Sequence, residues 1–155
     1  MNYNTAVQPQ PTSTQIEMAK RLEFALSTRN LDLVESAVSE AYSALHEIYV
    51  PTLIALAEAP WHQRHEDVVH ALQILRSPKA ISALEQATFS RHEYLAYDNN
   101  YALARKCTWA LADIGTREAH GALTRIAECS DPTIAAYAKK RLDNWQREVH
   151  RKGHG

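Results

Sequence analysis

Two stretches of the chain repeat each other at an offset of 39 residues. Ala71, Leu72, Leu75, Ser77, Ala80 and Leu84 fall onto Ala110, Leu111, Ile114, Thr116, Ala119 and Leu123. Each stretch carries an Ala-Leu pair, an apolar residue three on, a helix-breaking junction and a second amphipathic run. A unit of that length is a helical hairpin, which buries its apolar stripe only by stacking on a copy of itself. The repeat therefore predicts an all-α fold, an α-α superhelix. Such a stack offers a long regular surface for gripping a partner.

Composition supports this. At 155 residues the chain is long enough to bury a core without staples, and it holds only 4 Gly. Cys107 and Cys129 sit inside apolar helical patterns, where a free thiol acts as a small hydrophobe. A reducing cytoplasm is therefore expected. Residues 1–11 are polar, contain two prolines and lack the basic start and apolar run of a signal peptide, so they read as a disordered tail. No stretch reaches membrane-spanning length.

A formal net charge of −1 argues against a general nucleic-acid binder, which needs surplus cations to neutralise phosphates. The distribution is uneven. Asp32, Glu35, Glu40, Glu47, Glu58, Glu66 and Asp67 face Arg64 alone between residues 30 and 67. Lys139, Lys140, Arg141, Arg147, Arg151 and Lys152 weight the other end. The run is either a solvated set of helix faces or an acidic surface for a basic partner.

Periodicity places the elements. Thr14-Gln15-Ile16-Glu17 has capping-box spacing and predicts a helix to Ser27. Asn30 is an N-cap for a second helix, whose stripe Leu31, Val34, Val38, Ala41, Leu45 and Ile48 runs almost to Pro51. Helices are expected next from Pro51 to Ala59, over 64–76, and from Pro78 to Phe89. Tyr101–Ile114 is the clearest, with Leu103, Cys107, Ala110, Leu111 and Ile114 on one stripe. Gly115 closes it and Thr116 caps the next. The last helix runs from Pro132 to His150, and 151–155 should fray. The expectation is one domain over 12–150: two N-terminal capping helices, then about three hairpins in a right-handed stack. Their second helices (64–76, 101–114, 133–148) should line the concave side.

Leu111-Ala112-Asp113-Ile114-Gly115-Thr116-Arg117-Glu118-Ala119 resembles the junction within bacterial HEAT repeats of the short, PBS-lyase-like type. Ser77-Pro78-Lys79-Ala80 and Asp131-Pro132 are similar junctions, and the resemblance covers about residues 48–146. The Arg that such repeats often place early in the second helix is here His65, Ala104 and Ala135, so its charge ladder is missing. The resemblance implies fold more than function, because the family includes scaffolds, inhibitors, chromophore lyases and metal enzymes. Some of its small members look like immunity proteins, which silence a toxin made by the same cell.

Three His-Glu pairs stand out: His46-Glu47, His65-Glu66 and His92-Glu93. HEAT-like hydroxylases hold di-iron with such pairs, but the spacings here, 19 and 27 residues, are not one repeat, and a fourth pair is missing. His65 and His70 lie five apart rather than the four a zincin helix needs. His62, Glu66 and His70 form an i, i+4, i+8 stripe that reads as solvated. No nucleophile elbow, activated cysteine or phosphate loop is present, so no catalytic residue, metal or cofactor is assigned.

Arg91 to Tyr101 is the strongest candidate for function. It packs Tyr94, Tyr97, Tyr101, Arg91, His92, Glu93, Asp98, Asn99 and Asn100 into a long loop, a composition of binding hot spots. Its tyrosines either cap neighbouring helices or face a partner. Trp61, Glu66, Asp67, Arg105, Trp109 and Asp113 complete the expected contact set. The function these point to is non-catalytic protein binding, most concretely an immunity or inhibitor protein for a toxin with a basic surface. A lyase-like enzyme acting on a small ligand is the rival. A binder of nucleic acid, like the HEAT-type alkylpurine glycosylases, would need Arg64, Arg76, Arg105, Lys106 and the C-terminal cluster on one stripe.

Overall fold

Each helix begins and ends where local chemistry requires it. In the computed structural model, which describes residues 8–147, α1 spans Ser13–Thr28 and α2 Leu31–Ala41; α3 spans Val50–Glu58 and α4 His65–Leu75. Beyond them lie α5 (Ile81–Thr88), α6 (Tyr101–Ile114), α7 (Arg117–Ala127) and α8 (Pro132–Asp143). The side chains of Asn30, Thr116 and Asp131 accept the orphan N–H groups of α2, α7 and α8. Gly115 closes α6 in the left-handed region (φ 72°). The described residues form an all-α superhelical arrangement without strands. None of the helices among them is long and apolar enough to cross a membrane.

Consecutive helices pair as hairpins, α1 with α2, α3 with α4, α5 with α6 and α7 with α8. Helices α1, α3, α5 and α7 pack in one layer, and the second helices α4, α6 and α8 lie side by side in another. The two N-terminal helices expected as a cap thus make a hairpin of the same kind, and the Tyr42 ring behind α2 stacks on His70 of α4. Alanines 25, 37, 57, 71, 80, 104, 110, 119, 122 and 138 are buried between the layers, where a small side chain lets backbones approach. Leucines 22, 53, 56, 72, 84, 103, 111 and 123 fill the space between them. Helix α6 sits at the centre, buried on most of its circumference.

Polar pairs one repeat apart pin the stack. Lys106 reaches back to Glu66, Gln73 donates to Asp113 and Arg125 forks onto Glu85, each across 40 residues. Glu66 and Gln73 lie two turns apart on α4, as do Lys106 and Asp113 on α6, so these helices run parallel. A polar ladder exists after all, built from positions other than the Arg of the family's pattern.

The structure departs from expectation in four places. The capping box of α1 is Thr12 with Gln15, two residues earlier than Thr14 with Glu17. Helix α2 stops at Ala41, and two 3-10 segments, Tyr42–Ala44 and Glu47–Tyr49, lead to α3. The tail expected to be disordered lies outside the described residues only as far as residue 7. Gln8 accepts from Glu47 N–H, and the Pro9 carbonyl accepts from the His46 ring. Helix α8, expected to run from Pro132 to His150, ends at Asp143 with Asn144 as its C-cap; the expected fraying of 151–155 lies outside the described residues.

Candidate functional site

The site begins at the C-terminal end of α3, where helix carbonyls lack intrahelical donors. His62 Nε2–H donates to the Leu56 carbonyl at 2.7 Å, and His65 Nε2–H to the Ala59 carbonyl at 2.6 Å. With their ε nitrogens protonated, both rings have a δ nitrogen left to accept. The Arg64 N–H fills that of His62 (3.0 Å) and the Tyr94 hydroxyl that of His65 (2.8 Å). The same Tyr94 oxygen accepts the His65 backbone N–H at 3.2 Å. The link between α3 and α4 is thereby folded around two imidazoles.

A third ring completes a column. His65 is only 1% exposed and stacks on His62 at 4.0 Å and on His92 at 3.7 Å, with interplanar angles of 16° and 21°. Burial drives the His65 pKa down to about 4, further than the Ala59 carbonyl can restore it. Burial also lowers His62 and His92, so all three rings are neutral at neutral pH. Neutral rings can stack closely where imidazolium ions would repel.

His92 belongs to the insert, so the column ties the insert to the α3–α4 link. Leu95 anchors the insert from below, and the Asn100 side chain accepts the His92 N–H at 2.8 Å. Asn99 and Asn100 both adopt left-handed backbone (φ 58° and 62°), which asparagine tolerates better than most residues. Arg91 donates to the Asn99 carbonyl, and Asp98 accepts the Ala102 N–H in the first turn of α6. Tyr94 and Leu95 therefore face inward while Tyr97 stands 79% exposed. The insert caps the stack and presents a surface at once.

Trp61 and the insert, 30 residues apart, meet across a cavity of about 400 Å³. Its walls are Trp61 and Gln63 on one side and Arg91, Glu93 and Tyr94 on the other, with His62 and His92 below. The His92 Nε2 atom is buried there without a hydrogen-bond partner. Compared with protein-family models, with curated proteins and with solved structures, the chain matches none.

The remaining expected contacts divide. Glu66 and Asp67, expected to offer free negative charge, are both paired: Glu66 with Lys106 at 3.4 Å and Asp67 with Arg64 at 3.3 Å. The Asp67 carbonyl also accepts the Tyr42 hydroxyl. Tyr101 donates to Asp131, joining α6 to the cap of α8, and Asp113 accepts from Gln73. These residues hold the stack together. Arg105 and Trp109 instead line a second cavity, of about 340 Å³, against α8.

The His-Glu pairs do not converge. His46 spends its nitrogens on the Pro9 carbonyl and the Ile48 N–H, and Glu47 accepts from Ser77. Both nitrogens of His65 are likewise taken, and stacked rings aim their lone pairs in parallel planes rather than at one ion. Among the described residues no group of three or more His, Cys, Asp and Glu is arranged to hold a metal. His62 is buried rather than part of a solvated stripe, because α4 starts only at His65.

Sequence reasoning missed His62, Gln63, Tyr137, Lys140 and Arg141. In sequence His62 shares a solvated helical stripe with Glu66 and His70, a period that does not apply because the helix starts three residues later. Arg141 left a signal: with Ile134 and Ala138 it completes an i, i+4, i+7 set on the inward stripe, an unusual place for a cation.

Proposed function

We propose that this chain is a non-catalytic protein-binding module, an immunity or inhibitor protein that binds and neutralises a toxin or effector. The observation that carries the reading is the convergence of Trp61 and the Arg91–Tyr94 part of the insert on one cavity, beside the exposed Tyr97 and over a fully hydrogen-bonded pair of histidines, His62 and His65. Tryptophan, tyrosine and arginine are the side chains on which interface energy concentrates. Here they stand on a floor that needs no ordering when a partner arrives, which lowers the entropic cost of association. The hairpin stack, its resemblance to small HEAT-like proteins and the exposed acids Asp32, Glu35, Glu58 and Glu93 support a macromolecular partner with basic surface near this end.

The test is capture and inhibition. The full chain, immobilised, should retain a specific protein from an extract of its native host and abolish that protein's activity at equimolar ratio. Trp61→Ala with Tyr97→Ala should keep wild-type helicity, lower the melting temperature only by the lost Trp61 packing, and weaken capture by at least about a hundredfold, in line with two hot-spot losses. A partner held equally well by the double variant, or one whose activity is untouched, would defeat the reading.

A further inference from the structure

The second cavity, between α6 and α8, is unlike the first. Arg105, Lys140 and Arg141 line it together with Trp109 and Tyr137, and none of its lining residues is acidic. The Arg141 guanidinium lies 3.5 Å over the Trp109 ring, and the residue is 5% exposed. Stacking holds that guanidinium as part of the cavity wall and adds positive charge beneath the rim. Arg105 and Lys140 stand exposed at the rim.

We propose that this cavity binds an acidic peptide segment of the partner protein, seating an aromatic or aliphatic side chain against Trp109 and Tyr137 while flanking carboxylates meet the exposed Arg105 and Lys140. The inference rests on the protein-binding reading and deepens it, by giving the partner an acidic segment at the C-terminal end of the stack. A short peptide fits better than a nucleic-acid backbone because, among the described residues, cations of the neighbouring helices are already paired with acids. Farther along, Lys106 is paired with Glu66 and Arg64 with Asp67, which leaves these two cations less charge to offer successive phosphates. The apolar walls give a side chain a place that a sugar-phosphate chain would leave empty.

Fluorescence anisotropy on the full chain tests this with a fluorescein-labelled peptide alternating Glu or Asp with Leu and Phe. An oligothymidylate of equal charge serves as the competing probe. Saturable peptide binding is expected, weakened by added salt and at least tenfold weaker in Arg105→Glu with Lys140→Glu, whose helicity and melting temperature should match wild type. Trp61→Ala should bind the peptide normally. Absence of peptide binding, binding indifferent to the double reversal, or tighter binding of the oligonucleotide would each overturn the inference. Loss of the captured partner from Trp61→Ala with no peptide binding would sink this cavity alone. Peptide binding that depends on Arg105 and Lys140, in a chain that captures no partner, would sink the functional reading and leave the cavity standing.

Discussion

The Tyr94 hydroxyl accepts one hydrogen bond from the His65 backbone and donates another to the His65 ring, so one atom joins insert, helix start and histidine column. Tyr94→Phe leaves a part-buried N–H and a ring nitrogen unsatisfied while keeping the ring's packing. It should cost about 1–3 kcal/mol in urea denaturation and speed amide exchange at His65. The column also makes stability depend on pH. His65 has a pKa of about 4 when folded against an ordinary 6.5, so between those values the unfolded chain takes up a proton that the fold refuses. Its contribution is complete above pH 6.5, falls as the pH drops toward 4, and is level below that. From pH 7.5 to pH 5 this ring alone should remove about 2 kcal/mol, and the lowered His62 and His92 act in the same direction. Urea midpoints across that range should show the slope, and His65→Gln should flatten it. The two cysteines make a third contrast at this scale. Burial pushes the Cys107 thiol up to about 12, whereas Cys129 is half-buried. A thiol reagent applied to the native protein should label Cys129 and reach Cys107 only on unfolding.

Helix boundaries show what pattern can and cannot reveal. Helix α6 was legible in full, because its stripe, its glycine stop and the following Thr116 cap all agree. Helix α2 was not, since Leu45 and Ile48 continue its stripe past Ala41. The Pro51 ring would strike the carbonyl of residue 47 in a continuous helix. The chain gives way earlier, where the His46 ring takes the Ile48 N–H and closes a different turn. Two overlapping capping boxes compete at α1, and periodicity has no means of choosing between them. The site was legible in part. Composition marked the insert, but its meeting with Trp61 depends on how the links before successive second helices align, which periodicity within one helix does not report. Tyr101 with Asp131 and Ser77 with Glu47 recur at the same 30-residue separation. Arg29 offers a test at this scale. It closes α1 with φ 52° and ψ 39°, a conformation that costs a side-chain-bearing residue about 1 kcal/mol, and it is exposed. Arg29→Gly should therefore raise stability by about 0.5–1 kcal/mol, read as a higher denaturation midpoint at unchanged slope.

Across the whole molecule, contacts run between neighbouring hairpins, and the pairs at 40-residue separation link each position to the residue after its equivalent in the next unit. Exposed polar pairs of this kind add little stability, so their value is in fixing register: each unit meets the next at one offset, and a slip would separate the partners. A stack built this way resembles a one-dimensional array, in which energetic coupling passes only through shared interfaces. Val38 on α2 and Ile126 on α7 are both fully buried at opposite ends, while Leu84 on α5 and Leu111 on α6 occupy one hairpin at the centre. Val38→Ala should cost about 1–3 kcal/mol and Ile126→Val about 0.5–1.5 kcal/mol. The double variant should lose their sum to within about 0.5 kcal/mol, because the two sites belong to hairpins that do not adjoin. Leu84→Val with Leu111→Val should depart from additivity by more than that, because the cavity opened by one lets neighbours of the other relax. Equilibrium denaturation of the four single and two double variants decides it. Strong coupling between the ends would mean that the hairpins share one undivided core, and the repeat seen in the sequence would then govern local packing without governing how the molecule holds together.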